Sequence, residues 1–465
     1  MSNLYLRLKK YKKVGIVGLG LTGISSYKFF KNHNIPIIVF DESPKSIENF
    51  SNQFGDEDLA KSINDLALCS HMLLSPGIPL YFPRKHAAVK LAFEHNIEIT
   101  SDCEVLYECV KDRAKFIGIT GTNGKSTTTS LIGHLLKESG KNCVIGGNIG
   151  IGALDLPLDC DIYVLELSSY QLDLLNNLRF NIAILLNVTP DHLDRHGSMI
   201  EYIKAKKKVF KNQTSEDFAI ICVDDEITSY LYEEEKLETN NITIGISSDP
   251  AKEHMKNIIC YDNKYFIDNY WNTTLNFNKN VYLQGKHNHI NLACSYAACR
   301  AVGIEAEEIE KHIESFVGLP HRMQYVGNIK KISFYNDSKA TNAEASKPAL
   351  SSLENIYWLL GGIPKTGGIE GIQKLFTNVK KAYVFGNASI GFAITLKGKV
   401  PVKICNDMNS AFKEAYYDAV NDGNEANILL SPACSSLDQF KNFEERGEQF
   451  IKLYKNLSMV VSGGS

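Results

Sequence analysis

FIGITGTNGKSTTTSLIGHLLKESG, residues 116–140, runs from an apolar strand-like segment through a glycine-rich turn into an amphipathic helix that closes at Gly140. A strand that feeds a helix through such a turn is the signature of a loop that holds a nucleotide triphosphate. Backbone N–H groups of Gly121, Thr122, Asn123 and Gly124 and of the helix N-terminus would cradle phosphate oxygens, where the helix dipole favours negative charge. Lys125 would neutralise the β/γ region, and the hydroxyl of Ser126 or Thr127 would reach Mg²⁺. The longer form of the pattern asks for glycine at position 119, where Ile119 stands, so this is the shorter TGTNGKS form. A GKS triplet arises easily by chance, but one that follows a strand and opens an amphipathic helix does not.

Downstream, DIYVLE places Glu166 at the C-terminal end of an apolar strand, where ligands gather in open α/β sheets. A carboxylate there suits Mg²⁺ opposite Lys125, against the plainer reading of an ordinary strand-end acid. AILLNVTPDHLDRHG then sets Asp191, His192 and Asp194 just past another strand, a cluster suited to metal coordination or to substrate positioning. The segment EYIKAKKKVFK, residues 201–211, reads as a solvated basic helix face, and nothing in its spacing marks one lysine above the others.

Upstream, VGIVGLGLTG places Gly18, Gly20 and Gly23 after a strand, with Leu21 and Thr22 between them and Asp41 at the end of the next strand. This is a dinucleotide fingerprint, and it suits any ligand with a diphosphate. Ser75, Pro76, Gly77 and Ile78 follow the strand-like HMLL and suggest a second turn at the same sheet edge. Two loops of different type imply two phosphorylated ligands.

Along the rest of the chain, short β-branched runs alternate with helical segments. They predict α/β architecture with largely parallel sheets. Strands are expected at 14–17, 37–40, 116–120, 162–165, 182–187, 357–360, 382–385 and 428–430. A chain of 465 residues exceeds what one core fills. Breaks near 103 and 318 divide it into three expected domains: Rossmann-like 1–102, a central phosphate-loop domain 103–318, and Rossmann-like 319–465. The segment 224–280 lacks clear periodicity and reads as an insertion or a sheet extension.

The formal net charge of −3, from 50 basic and 53 acidic residues, builds no field that would favour nucleic acid or an anionic membrane. Eleven cysteines fall singly, with no CxxC pair, which argues against a disulfide framework and a structural zinc site and fits a reducing cytosol. No export signal or membrane span is expected, because the most apolar run, 182–186, is far too short. A cytoplasmic protein acting on small molecules is the expectation.

The phosphate loop together with GGNIG (146–150), ELSSYQLD (166–173), NVTPDHLDRHG (187–197), GKHNHINLACS (285–295), GLPHRM (318–323), NDSKATN (336–342) and SPACSSLDQFKNFEERG (431–447) resembles the Mur ligases in order and spacing. Three of these segments, ELSSYQLD, NDSKATN and SPACSSLDQF, are most similar to the member that adds D-glutamate. The resemblance implies an ATP-dependent, ADP-forming ligase joining D-glutamate to UDP-N-acetylmuramoyl-L-alanine in peptidoglycan precursor synthesis, on which cell shape and division depend. It implies a UDP-sugar domain, a central ATPase domain and a C-terminal domain that delivers the amino acid and closes over the centre.

The resemblance also implies site residues. Gly18 to Gly23, Asp41 and the Ser75 to Ile78 turn would hold the UDP moiety, with uracil contacts altered by Glu42 and Ser43. Asn148, Ser169 and Gln171 would line the path of the sugar-peptide. Asn288, Asn291, Arg322 and Asp337 would join the phosphate loop on ATP, and Lys339, Thr341, Lys365, Ser436 and Phe443 would hold the glutamate. Among the lysines, Lys206 matches the family's carbamylated lysine. As a carbamate it would join His192 at a second Mg²⁺, while Glu166 and the phosphate loop hold the first. A monomer is expected.

Three rivals remain at this level, one of them a non-enzymatic nucleotide-binding module, which leaves the clustered acids and His192 unexplained. A folylpolyglutamate synthetase shares a similar phosphate loop but is disfavoured by the N-terminal GLGLTG segment. A nicotinamide-dependent oxidoreductase would use that segment but leave the phosphate loop as an accessory.

Overall fold

The computed structural model of the chain describes residues 7–261, 265–276, 280, 283, 285–365 and 367–462. Three main sheets follow one another along the chain. The first holds β1 (Val14–Val17), β2 (Ile37–Phe40), β3 (His71–Leu74) and β4 (Glu98–Thr100), all parallel, in the order β2-β1-β3-β4. The central strands β1 and β3 are buried on both faces, which is why VGIV and HMLL read as continuous apolar runs. Sheet order reverses between β1 and β3, so the loops that leave their C-terminal ends face each other at a switch point.

The second sheet has nine strands: β5 (Lys115–Thr120), β6 (Cys143–Gly147), β7 (Ile162–Glu166), β8 (Ile182–Leu185), β9 (Phe218–Cys222), β10 (Ile242–Ser247), β11 (Ile258–Tyr261), β12 (Tyr265–Asp268) and β13 (Thr273–Asn276). Their order is β13-β12-β11-β10-β9-β8-β5-β7-β6, with antiparallel pairing only at β11-β12-β13. The weakly patterned 224–280 segment is thus a sheet extension: β10 continues the parallel sheet, and an antiparallel edge follows. Residues 262–264 and 277–279 lie outside the described residues.

The third sheet takes β14 (Gln324–Ile329), β15 (Ile332–Asn336), β16 (Ile356–Gly361), β18 (Val379–Phe385), β19 (Val402–Ile404) and β20 (Ala426–Leu430), in the order β14-β15-β20-β16-β18-β19. Only β14 runs antiparallel. A two-stranded ribbon pairs β17 (Ile363–Pro364) with β21 (Cys434–Ser435).

Contacts divide the chain into two compact units, one of residues 1–278 with 288–315 and one of 279–287 with 316–465. The first unit carries the first two sheets, whose buried side chains include one shared cluster running from Val14 through Phe116 to Ile221. The second unit has apolar cores on both faces of its sheet, one around Trp358 and Phe392 and one around Phe334, Phe412 and Phe450. Side chains of this size each contribute about 2 kcal/mol on burial. Among the described residues no helix is long and apolar enough to cross a membrane.

Candidate active site

The helix Lys125–Glu138 starts directly after Gly124, with no side-chain cap on its first N–H groups. Those donors are the ones an anion takes up. Gly124 has φ 87° in the left-handed region, and a Cβ there would meet the Asn291 Oδ1 atom. Only glycine lets the turn pass beneath that side chain. Asn291 in turn accepts from Thr128 Oγ1 at 3.2 Å and donates to Asn288 Oδ1 at 3.3 Å, so two residues expected near ATP are built onto the phosphate-loop helix.

Asn187 clamps the outside of the loop: its Oδ1 accepts from Asn123 N at 2.9 Å, and its Nδ2 donates to Asn123 O at 3.1 Å. Thr122 Oγ1 lies 3.1 Å from Tyr202 OH. Asn187 and Tyr202 fall in segments that carry the family resemblance, but nothing in their residue type marks them as partners of the loop, since a polar residue after a strand and a helix tyrosine are both ordinary.

Two lysine side chains converge on one carbonyl. Lys125 Nζ donates to Gly121 O at 2.9 Å and to Thr122 O at 2.8 Å, and Lys206 Nζ donates to Gly121 O at 2.8 Å. Lys206 is 2% exposed, and its Nζ lies 4.7 Å from the Tyr202 ring centre. Burial, and next the Lys125 charge, push its pKa down to about 6 against a weaker pull from Asp191. The tertiary structure therefore separates Lys206 from its neighbours: Lys204 and Lys207 pair with Glu201 and Glu234, and Lys208 with Asp173.

Glu166 ends β7 beside Ile119 of β5, one residue before the phosphate loop begins. Its Oε1 accepts from Asn148 Nδ2 at 2.9 Å, while its Oε2 is buried with no hydrogen-bond partner. An orphaned buried carboxylate oxygen costs free energy unless a cation or donor meets it, so this residue suits Mg²⁺. Among the described residues no three His, Cys, Asp or Glu side chains converge as a metal cluster.

His192 sits at φ 52° with its Nε2 3.4 Å from Asp191 Oδ2, half exposed. Asp194 is exposed on the short helix Leu193–His196. The same segment holds side chains whose roles are structural. Arg195 donates to the carbonyls of Phe82 and Ile78, both at 3.1 Å, tying this helix to the Ser75–Ile78 side of the first sheet. Buried His196 lies 2.9 Å from Ser169 Oγ and 3.6 Å from Asp173. The Ser169 hydroxyl is thereby taken up inside the protein, and Gln171 Oε1 accepts from Ser168 N at 3.0 Å in a capping box.

At the first switch point, Ser75 Oγ donates to Gly18 O at 2.9 Å, and Gly18 has φ 94° with no room for a Cβ against Ser75. Gly20 is exposed at the start of the helix Leu21–Asn32, with open space around it, and Leu21 is exposed beside it. Thr22 O accepts from Ser26 Oγ, and Gly23 packs so close to Gly18 O that a side chain is excluded. Asp41 accepts from Leu19 N at 2.6 Å and from Ser43 N at 2.7 Å. Both its oxygens thus brace the backbone. Pro76 is partly buried and Gly77 exposed in the facing turn.

In the second unit, the loops after β15, β16 and β20 meet around Arg446. This fully buried guanidinium donates to Ser338 Oγ and O at 2.9 and 2.8 Å, to Cys434 O at 3.1 Å and to Gly361 O at 3.4 Å. Ser338 Oγ donates onward to Phe443 O at 2.8 Å, and Lys339 Nζ lies 5.2 Å from the Phe443 ring centre. Ile363 pairs with Ser435, which sets the Lys365 segment beside buried Ser436. Lys339, Thr341, Lys365, Ser436 and Phe443 are thus carried by three segments that one arginine joins. Asp337, at the end of β15, accepts from Ser431 Oγ at 2.7 Å and from Met323 N at 3.1 Å, and burial pushes its pKa up to about 7. Arg322 and Asp337 belong to this unit, whereas Asn288 and Asn291 belong to the first.

A phosphate loop on a parallel sheet, with a diphosphate-type glycine loop on a sheet before it, defines a nucleotide-dependent α/β protein of several sheets. Comparison with known proteins narrows this. Family profiles described as the Mur ligase middle domain and the Mur ligase MurD-like N-terminal domain match residues 119–299 and 12–101. The chain is 46% identical to the UDP-N-acetylmuramoylalanine--D-glutamate ligase of Rickettsia prowazekii (strain Madrid E), over 96% of this chain and 98% of that one. It is 40% identical to the ligase of the same name from Phenylobacterium zucineum (strain HLK1), over 96% and 97%. Among solved structures, the MurF ligase from Thermotoga maritima in complex with ADP aligns with a TM-score of 0.56 at 17% identity, over 98% of this chain and 100% of that one, a likeness of fold. The chain belongs to the Mur ligase family.

Proposed function

We propose that this protein is an ATP-dependent ligase that joins D-glutamate to UDP-N-acetylmuramoyl-L-alanine, forming ADP and phosphate, in the cytoplasm and as a monomer. The observation that carries the reading is the phosphate loop on which Lys125 and Lys206 converge, with the unpaired Glu166 Oε2 atom on a neighbouring strand. The end-to-end identity with ligases of that name supports the choice of substrates. Residues 1–102, 103–318 and 319–465 would serve as UDP-sugar, ATP and amino-acid domains.

A free carboxylate is a poor acyl donor because hydroxide leaves badly. The L-alanyl carboxylate oxygen would therefore attack the γ-phosphorus of ATP, ADP would leave, and an acyl phosphate would form. The amine of D-glutamate would then attack the acyl carbon, lose a proton and expel inorganic phosphate. Lys125 and the loop N–H groups would offset the repulsion between the two anions and stabilise the developing charge. Mg²⁺, bound by Glu166 and a Ser126 or Thr127 hydroxyl and at a second site by His192 and Lys206, would supply further charge neutralisation at the phosphates.

Lys206 supports that second site only if modified: an ammonium repels a cation, whereas a carbamate binds it. Its amine, neutral above about pH 6, is in the form that attacks CO₂, giving a carbamate and releasing a proton. Asn148, Ser169 and Gln171 would border the sugar-peptide, the last two through the wall they build. The test is direct. The purified protein is incubated with UDP-N-acetylmuramoyl-L-alanine, ATP, Mg²⁺ and either D- or L-glutamate, and phosphate release and product mass are followed. Phosphate release and a new amide with D-glutamate alone are expected; phosphate release that needs no sugar-peptide, or amide formation without ATP, rejects the reading.

A further inference from the structure

The phosphate loop is bonded side-on to the segment that leaves β8. Thr122 N donates to Asn187 O at 3.0 Å and Asn123 N to Asn187 Oδ1 at 2.9 Å, while Asn187 Nδ2 donates back to Asn123 O at 3.1 Å. Two residues further on, Thr189 N donates to Thr122 Oγ1 at 3.0 Å, and Thr122 Oγ1 donates to Thr189 O at 3.1 Å. A hydroxyl has one proton, so in its contact with Thr122 the Tyr202 O–H is the donor, and every hydrogen-bonding position of Thr122 Oγ1 is filled. Each of these partners belongs to the protein, so the ladder forms without help from a ligand. An asparagine after a strand ordinarily turns back on backbone a few residues away. Asn187 instead gives both polar atoms of its amide to one residue 64 positions earlier.

The ladder answers a cost that the loop's glycines impose. Gly121 and Gly124, which bracket Thr122 and Asn123, both have positive φ, at 153° and 87°. Two glycines this close give an untethered loop a wide range of shapes, and a ligand that had to select one of them would lose affinity in doing so. We infer that Asn187 is a positioning residue for ATP: it holds Thr122 and Asn123 so that the loop has its nucleotide-binding shape before the nucleotide arrives. The inference rests on the functional reading above. It also divides the loop's backbone donors. The Thr122 and Asn123 N–H groups, expected from the sequence pattern to cradle phosphate, belong to the ladder, and the triphosphate draws on Gly124, the start of the helix Lys125–Glu138 and the Lys125 side chain.

The test compares the wild type with Asn187→Ala, which removes both side-chain bonds, and with Asn187→Asp, which keeps an acceptor for Asn123 N but has no donor for Asn123 O. Amide hydrogen exchange across the loop is followed in nucleotide-free protein, ADP affinity by calorimetric titration, and KM for ATP, the UDP substrate and D-glutamate by phosphate release. In Asn187→Ala, loop exchange, the Kd for ADP and the KM for ATP should each rise at least about tenfold, while the other two KM values stay within about twofold of the wild type. Asn187→Asp should lose at least as much ADP affinity, because it adds a negative charge beside a site for phosphates. Thr122→Val keeps the shape of the side chain and removes only the Thr189 half of the ladder. It should shift the same quantities in the same direction by less, and it carries the test if Asn187→Ala does not fold. Unchanged loop exchange or ADP affinity in the variant that folds overturns the inference. So do three KM values that rise together, which is what a general loss of structure gives. Absence of amide formation by the wild type would instead overturn the functional reading, with the exchange and ADP measurements still deciding the role of Asn187.

Discussion

Lys206 shows how far burial moves the chemistry of a side chain. With its pKa lowered from 10.5 to about 6, the unfolded chain binds a proton that the folded chain rejects between those values. Stability therefore rises with pH across that window, and at pH 7 the unmodified amine costs on the order of 4 kcal/mol. Lys206→Met should accordingly raise the thermal midpoint by several degrees in CO₂-depleted buffer while ligase activity is lost. An unchanged or lower midpoint would show that the buried amine is not under strain. The carbamate reading adds a second expectation, that short-chain carboxylic acids restore part of the activity to Lys206→Ala. No rescue with metal binding intact would defeat it. Lys125→Ala, which removes the loop cation, should reduce phosphate release about a thousandfold, and near-normal turnover would count heavily against the site.

At the level of loops and helices, glycine and arginine do opposite jobs. Gly124→Ala places a methyl group against Asn291 in a left-handed turn, so it should destabilise the first unit by about 1–2 kcal/mol and weaken ATP binding in calorimetric titration. Arg446 is instead a filled hub. Arg446→Met leaves the carbonyls of Ser338, Cys434 and Gly361 short of a donor, and about 3 kcal/mol of stability should be lost. If the three segments do carry the glutamate contacts, KM for D-glutamate should rise in this variant while ATP binding to the phosphate loop is retained. An unaltered KM would separate the hub from the amino-acid site.

Over the whole molecule, two compact units with separate cores predict two transitions in scanning calorimetry. Nucleotide at about 100 times its dissociation constant adds about 2.7 kcal/mol to whatever it binds. The transition of the unit that holds the phosphate loop should therefore move upward with ADP; a midpoint insensitive to ADP would contradict the loop's assignment.

Much of this was legible in the amino-acid order, because the signals are local. An apolar run buried on both faces, a glycine that must take positive φ and a lysine after it lie within a few residues of one another, so the strands, their parallel pairing and the phosphate loop follow from near neighbours. The 224–280 segment did not declare its strands, since the strands of its antiparallel edge have only four residues each. Singling out Lys206 from a run of five lysines took family resemblance, since spacing is blind to which ammonium loses its water. Folding showed the physical difference, along with the sealing of His196 against Ser169, the commitment of Asp41 to backbone N–H groups, and the gathering of three distant loops on Arg446. Each of these depends on desolvation or on partners remote along the chain, and such environments exist only once the sheets have packed.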